Sequence, residues 1–295
     1  MSKKSLFFII LIFVAAFIIF KKNQRVKSAI TTTTATMYSS LLNCPKTQFN
    51  GATGFYSQAY EDYVLSNIFS DTEKGVYVDV GANNPDGGSA TKYFYLKGWR
   101  GINFEPLKNH YEALLKYRKE DVNINKAVSD TVGEATFYIP VKADVLASLK
   151  EEITDNLPSS SSEVNKVIVQ VTTLTKEFQE HNIKDIDFIK IDVEGYEHKV
   201  VGGLDFKTYR PKVVMLEYAS PTDQHGYLLF DPIMVKNDYI LGLDDGLNYY
   251  YYRKESPEFE AKFAKLQKCV NLNLVEKTYR EFPYIFRTIK DVNKK

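Results

Sequence analysis

Residues 76–105 read as strand, tight loop, helix, strand and acid, and that order leaves few folds open. Val76 to Val80 is a short β-branched and aromatic run of the kind that makes a buried strand. It passes through Asp79 into Gly81, Ala82 and Asn83, where small residues let a ligand approach the backbone. Ser89 is placed to cap a helix running to about Lys97, and Gly98 stops it. A second strand, Gly101 to Phe104, ends in Glu105. In an open α/β sheet, ligands sit at the carboxyl ends of the strands, beside the first loop. Asp79 and Glu105 are 26 residues apart, which fits one β-α-β unit with an acid placed for both hydroxyls of a ribose.

The loop itself narrows the nucleotide. Cradling a pyrophosphate needs G-x-G-x-x-G. Here the loop reads Gly81-Ala-Asn-Asn-Pro-Asp-Gly87, with Asn83 at the second glycine position and Pro85 lacking a backbone donor. An acidic strand end with one glycine suits a nucleoside with no phosphates and a positive centre, as in S-adenosylmethionine. A Rossmann-like loop without a ligand is the plainer alternative.

A second stretch carries chemistry. Phe188 to Val193 is a buried strand that opens into Asp192, Glu194 and Gly195. Two carboxylates at a strand end cost desolvation and mutual repulsion. They suit contact with a cation, a general-base role, or both. Asp192 is the first candidate base and Glu194 the second; His198 reads as a surface residue. The sequence spells out no dedicated metal-ligand cluster, so no metal ligand is assigned, although a divalent metal bridging the acids and a diol is compatible with the chemistry.

The remaining elements follow in order. Ser57 is placed to cap a helix containing Glu61, Tyr63, Val64 and Ile68. After Pro106 come a helix from about Asn109 to Lys119, a strand from Val122 to Val128, and a hairpin extension from Glu134 to Ile139. Residues 140–165 form a long loop, read either as a lid or as disorder. Pro211 to Glu217 is another acid-ended strand. Tyr239 to Leu243 and Leu247 to Tyr252 flank the turn Asp244-Asp245-Gly246 as a hairpin, giving an antiparallel sheet edge with the tyrosines in edge packing. One or two closing helices are expected over residues 256–281.

The N-terminus reads differently. Leu6 to Phe20 is fifteen consecutive apolar residues between Lys3, Lys4 and Lys21, Lys22. As a helix it reaches roughly 23 Å, against a hydrocarbon core of about 30 Å, and flanking lysines snorkel to extend it. An uncleaved single-pass anchor is favoured over a signal peptide, because Lys21, Lys22, Arg25 and Lys27 occupy the cleavage zone. The downstream basic cluster is the larger, which by the positive-inside rule keeps the following domain cytoplasmic. A secretory-pathway transferase has the opposite orientation, and both sides of the membrane stay open. The chain divides into an anchor over 1–27, a Ser/Thr-rich stalk over 28–54, a catalytic domain over 55–253 and a helical extension over 254–295. Residues 1–30 hold six basic and no acidic residues, leaving 32 basic against 37 acidic elsewhere. That mildly acidic remainder argues against nucleic acid as partner. Cys44 and Cys269 pair or stay free according to compartment.

Taken together, Ser57-Gln58 with Glu61-Asp62, Tyr77-Val-Asp-Val-Gly-Ala-Asn83, Gly98-Trp-Arg-Gly101, Glu105-Pro106, Ala127-Val128-Ser129-Asp130, Phe188-Ile-Lys-Ile-Asp-Val-Glu-Gly195 and Arg210-Pro211 with Glu217 resemble the FkbM-type S-adenosylmethionine-dependent methyltransferases. The resemblance spans about residues 55–253. It implies a class I methyltransferase fold, a Rossmann-like seven-stranded sheet with helices on both faces and its last strand antiparallel. It implies O-methylation of a hydroxyl, on a sugar, a glycan or a related small molecule. By position, Ser57, Glu61, Asp79, Gly81, Ala82, Asn83, Glu105, Pro106, Ala127 and Val128 would surround the cofactor. Asp79, Gly81 and Asn83 would take its methionine end, Glu105 its ribose, and Ala127 and Val128 its adenine. Asp192 and Glu194 would face the transferred methyl and the acceptor. Two other classes stand beside this reading: a membrane-anchored glycosyltransferase, for which Asp185-Ile-Asp187 has the spelling of a metal-diphosphate motif but precedes its strand, and a non-catalytic glycan-binding module.

Overall fold

The computed structural model describes residues 55–59, 61–141, 143–151, 163–218 and 226–267. The apolar run Leu6–Phe20, the stalk, both cysteines and much of the long loop lie outside the described residues. Among the described residues, no helix is long and apolar enough to cross a membrane.

Seven strands form one sheet: β1 (Val76–Val80), β2 (Arg100–Phe104), β3 (Val122–Ile124), β7 (Phe188–Ile191), β8 (Val213–Glu217), β9 (Tyr239–Asp244) and β10 (Asn248–Arg253), in the order β3-β2-β1-β7-β8-β10-β9. β1, β2, β3, β7 and β8 are parallel, and β10 is antiparallel to both of its neighbours. A parallel sheet must be covered on both faces, so its strands are apolar on both sides. Side chains alternate along each strand and sort into two cores. On one face Val78, Val80, Ile102, Ile189, Ile191, Val214 and Leu216 pack with Leu174, Phe178, Val200, Phe230 and Met234. On the other, Tyr77, Phe188, Val213, Met215 and Tyr250 pack with Leu65, Ile68, Phe94, Trp99, Phe259 and Phe263.

The covering helices include α1 (Glu61–Ile68), α2 (Lys92–Leu96), α3 (Lys108–Tyr117), α4 (Leu174–Glu180), α5 (Glu197–Gly202), α6 (Tyr227–Lys236) and α7 (Glu258–Gln267). A second, three-stranded sheet has the order β4-β6-β5, from β4 (Ala127–Val128), β5 (Gly133–Pro140) and β6 (Val164–Thr172).

Three local expectations change. The strand expected over 122–128 is two strands in two sheets. Between them Lys126 turns out to pair with buried Glu177 at 2.7 Å, and Asn125 donates from Nδ2 to the carbonyls of Glu105 and Pro106. The final hairpin does give the sheet an antiparallel edge, but its strands are placed in reverse order: β10 enters between β8 and β9, so β9 is the edge. Tyr250 and Tyr251 are therefore fully buried inside the sheet rather than packed at its rim. Ser57 is not adjacent to the helix, since α1 begins at Glu61, but its Oγ accepts the Asp62 N–H of the first turn at 3.3 Å. The Asp62 carboxylate in turn gathers the Ser57 hydroxyl and the backbone N–H groups of Tyr56 and Ser57.

Candidate functional site

Register and alternation build the site. Asp79 stands opposite Lys190 in the β1–β7 pair, and Lys190 opposite Met215 in the β7–β8 pair. Asp79, Lys190 and Glu217 thus fall on the same sheet face as Tyr77, Phe188 and Met215. Ile191 pairs with Leu216, so the next residues, Asp192 and Glu217, emerge side by side at the strand ends.

Lys190 is the hub, a residue to which the sequence analysis gives no role. Its Nζ donates to the Gly81 carbonyl at 2.8 Å and lies 3.3 Å from Asp79 Oδ1 and 3.4 Å from Asp192 Oδ2. One of its three donors is committed to that carbonyl, and the two carboxylates hold the ammonium as ion pairs; among the described residues Asp79 Oδ1 receives no hydrogen bond. Burial alone would push its pKa down, but Asp79, Asp192 and Glu217 outweigh that and raise it. Asp79 accepts a second hydrogen bond at Oδ2 from the Thr91 hydroxyl, 2.7 Å. The signal in the sequence was the lysine itself: a charge inside an apolar strand needs a buried partner.

The first loop is held on both sides. Gly81 has φ +78°, and a Cβ there would stand 2.0 Å from the Asp192 carbonyl oxygen, so the two ligand-facing loops touch backbone to backbone. The N–H groups of Gly81 and Ala82 both donate to the Phe104 carbonyl. Farther along, buried Arg118 donates from Nη2 to Ser89 Oγ at 2.9 Å and to the Pro85 carbonyl at 3.1 Å. Ser89 in turn accepts from the Lys92 N–H at the start of α2, the expected capping role. Ser57 reaches this loop through an isolated bridge to Gly88.

Glu105 closes the adjoining strand. Its Oε2 accepts the Asn83 N–H and its Oε1 the Leu107 N–H, each at 2.8 Å. Burial raises its pKa, and the two backbone donors work against that rise. Pro106 is half-buried beside it. Ala127 and Val128 are buried in β4; Ala127 packs in a cluster that includes Leu107, and Val128 belongs to the main core. Glu61 lies apart from Glu105. It accepts the Ala59 N–H, and burial, with Asp245 adding to it, pushes its pKa up to about 7.

The acid loop after β7 is shaped by Glu197 at the start of α5. Its Oε1 accepts the N–H groups of Val193 and Gly195, both at 3.1 Å. Glu194 takes φ +57° and Gly195 φ +95°, which turns Glu194 back toward the strand ends. From the long loop, Ser148 Oγ donates to the Val193 carbonyl at 3.0 Å, and the Lys150 side chain lies over Gly195.

The structure also brings together a trio that the sequence does not spell. One carboxylate oxygen each from Asp192, Glu194 and Glu217 lies within 4.8 Å of the other two. Like charges that close repel by about 3–4 kcal/mol per pair at an effective dielectric of about 20. Burial raises the pKa of Glu217, and the charges of Asp192 and Glu194 raise it further. Asp192 is the open member, its side chain 37% exposed. The Asp185-Ile-Asp187 spelling, by contrast, sits at the far end of β7. Asp187 accepts the Val76 N–H at 2.8 Å and pairs with Lys212 at 2.6 Å, a brace between strand starts.

Fold and site define a Rossmann-like α/β protein with acidic strand ends beside a first loop that opens on Gly81. The methyltransferase FkbM domain matches residues 79–254, more than half of the chain, and the chain belongs to that family of methyltransferases. Ser57 and Glu61 precede the matched region. Among solved structures, an O-methyltransferase from Bacillus cereus in complex with SAH is similar at 10% identity, covering 70% of this chain and 87% of that one with a TM-score of 0.35. No curated protein matches the sequence.

Proposed function

We propose that this methyltransferase uses S-adenosylmethionine to methylate a hydroxyl on a sugar, a glycan or a related small molecule. The observation that carries the reading is Glu105 fixed between the Asn83 and Leu107 N–H groups at the end of β2. A carboxylate has about four lone-pair sites. With one N–H on each oxygen, each keeps acceptor capacity for a vicinal diol. The charge balance fits as well. Asp79, Asp192 and Glu217 act on the buried Lys190 ammonium and Glu194 joins two of them at the strand ends, an acidic surplus that suits a sulfonium.

Held by Asp79, Gly81, Asn83 and Glu105, such a cofactor would supply a methyl group on a positive sulfur, with a neutral thioether as the leaving group. The chain's own residues orient and deprotonate. Lys190 holds Asp79, Asp192 and the Gly81 carbonyl in one arrangement, so the first loop and the acid loop keep a fixed spacing. Alignment of this kind supplies up to about 7–11 kcal/mol of a bimolecular barrier. Asp192, the exposed acid of the trio, is the group that can meet an acceptor hydroxyl and take its proton as the oxygen–carbon bond forms. Glu194, buried beside it, orients the acceptor.

Purified protein incubated with methyl-labelled cofactor and fractionated cell glycans and lipids tests the reading. A labelled methyl ether supports it; no transfer to any fraction by a protein that binds the cofactor sinks the hydroxyl assignment. Leu6–Phe20 supports a further part of the proposal, that a single N-terminal helix holds the enzyme at a membrane.

A further inference from the structure

We infer that Asp192, Glu194 and Glu217 form a binding site for one hard divalent cation, of the Mg²⁺ or Mn²⁺ class. Three observations carry this. The three carboxylates offer oxygens within 4.8 Å of one another, a span that a single ion with oxygen ligands bridges. Glu217 is 9% exposed, and its buried Oε2 receives no hydrogen bond among the described residues. The buried Lys190 ammonium donates to the Gly81 carbonyl and lies 3.3 and 3.4 Å from Asp79 and Asp192, so its one charge is already shared between two other acids. Glu217 also faces the Asp192 carboxyl, an acceptor like itself, so a group that both can bind must stand between them.

The chemistry of the donor set chooses the ion. All three ligands are carboxylates, with no thiolate or imidazole among them, which favours Mg²⁺ or Mn²⁺ over Zn²⁺ or Cu²⁺. Backbone geometry presets the arrangement: Glu194 reaches inward through its positive φ, and Glu197 pins that turn by accepting two backbone N–H groups. Asp192 opens the cluster to solvent, leaving room for water or an acceptor oxygen to complete the shell. The role of the ion rests on the methyl-transfer reading: it would hold the acceptor oxygen and ease loss of its proton. The binding site itself does not rest on that reading.

The test is titration of full-length protein, stripped with EDTA, with Mn²⁺ followed by electron paramagnetic resonance, and with Mg²⁺ as competitor. One Mn²⁺ per chain, displaced by Mg²⁺, is expected. Glu217→Gln and Asp192→Asn should each weaken binding at least tenfold. In EDTA, Glu217→Gln should melt no lower than wild type, because it removes a repulsion, and Mn²⁺ should raise the melting temperature of wild type alone. Absence of Mn²⁺ binding, or binding indifferent to both substitutions, overturns the site and leaves a proton as the bridge. Calorimetry with S-adenosylmethionine on the same samples separates the two readings. Mn²⁺ binding without cofactor binding keeps the site and sinks the methyl-transfer role. Full turnover in EDTA sinks the role of the ion.

Discussion

Lys190 Nζ stands 3.3 Å from Asp79 Oδ1, across the register of two neighbouring parallel strands, and this pair is the electrostatic keystone of the cleft. Removing one partner of a buried pair strands the other charge. Lys190→Met should therefore destabilise the protein by about 3–5 kcal/mol. Asp79→Asn in the Lys190→Met background should recover part of that loss. Urea unfolding of the four proteins in a double-mutant cycle gives the coupling. Additive losses would mean that the two side chains do not act as a pair.

Glu105→Ala should weaken S-adenosylmethionine binding by about 1.5–3 kcal/mol, the range for hydrogen bonds to a charged group. It also frees the Asn83 N–H, so the first loop should exchange its amide hydrogens faster. Calorimetry and hydrogen exchange read the two effects. Unchanged affinity would remove the ribose assignment.

Asp192→Asn keeps the shape and removes the charge. Turnover should drop by about 10²–10⁴-fold, the usual contribution of a general base. Cofactor affinity should move far less, so the loss belongs to kcat. Wild-type turnover in this variant would leave positioning as the whole mechanism.

Glu61 gives a signed pH dependence. Its folded pKa, about 7 against an ordinary 4.5, is raised by burial, so the native state holds an extra proton between those values. Stability from this group is then lost as pH rises from about 4.5 to about 7. The groups around it are Asp62, Asp245 and the Ser57 hydroxyl. Glu61→Gln should gain on wild type by up to about 3 kcal/mol above pH 7 and by little near pH 4.5. Unfolding curves at pH 5 and pH 8 that shift equally in both proteins would contradict this.

The membrane proposal has its own measurement. Full-length protein should resist carbonate extraction and keep its N-terminal peptide, because Leu6–Phe20 supplies the anchor. A mature form beginning near residue 30 would make that run a cleaved signal.

The β1-loop-α2-β2 unit was legible because everything that defines it is local: apolar runs, a glycine at a positive φ, an acid at a strand end. β6 was not. It is a half-exposed strand carrying Asn165, Lys166 and Gln170 among its apolar residues, and its run is recognisable only beside β5. The insertion of β10 was invisible for a different reason, since two adjacent strands joined by a tight turn read as a hairpin at the rim whether or not a third strand accepts one of them. The acids of the site divide in the same way. Asp79, Glu105, Asp192 and Glu194 end strands and announce themselves. Glu217 also ends a strand, but it and Lys190 gain their place in the site only from neighbours across the sheet, which no single stretch of sequence contains.

The placement of β10 between β8 and β9 also sets an order of assembly. During synthesis, β9 leaves the ribosome before the strand that must separate it from β8. Until residues 248–253 follow, β8 has an open edge, with Glu217 at its end, and β9 has nowhere to dock. Nascent chains ending short of residue 253 would expose that edge to other chains, the kind of surface that aggregation exploits. The sheet is therefore completed by the last of its described strands.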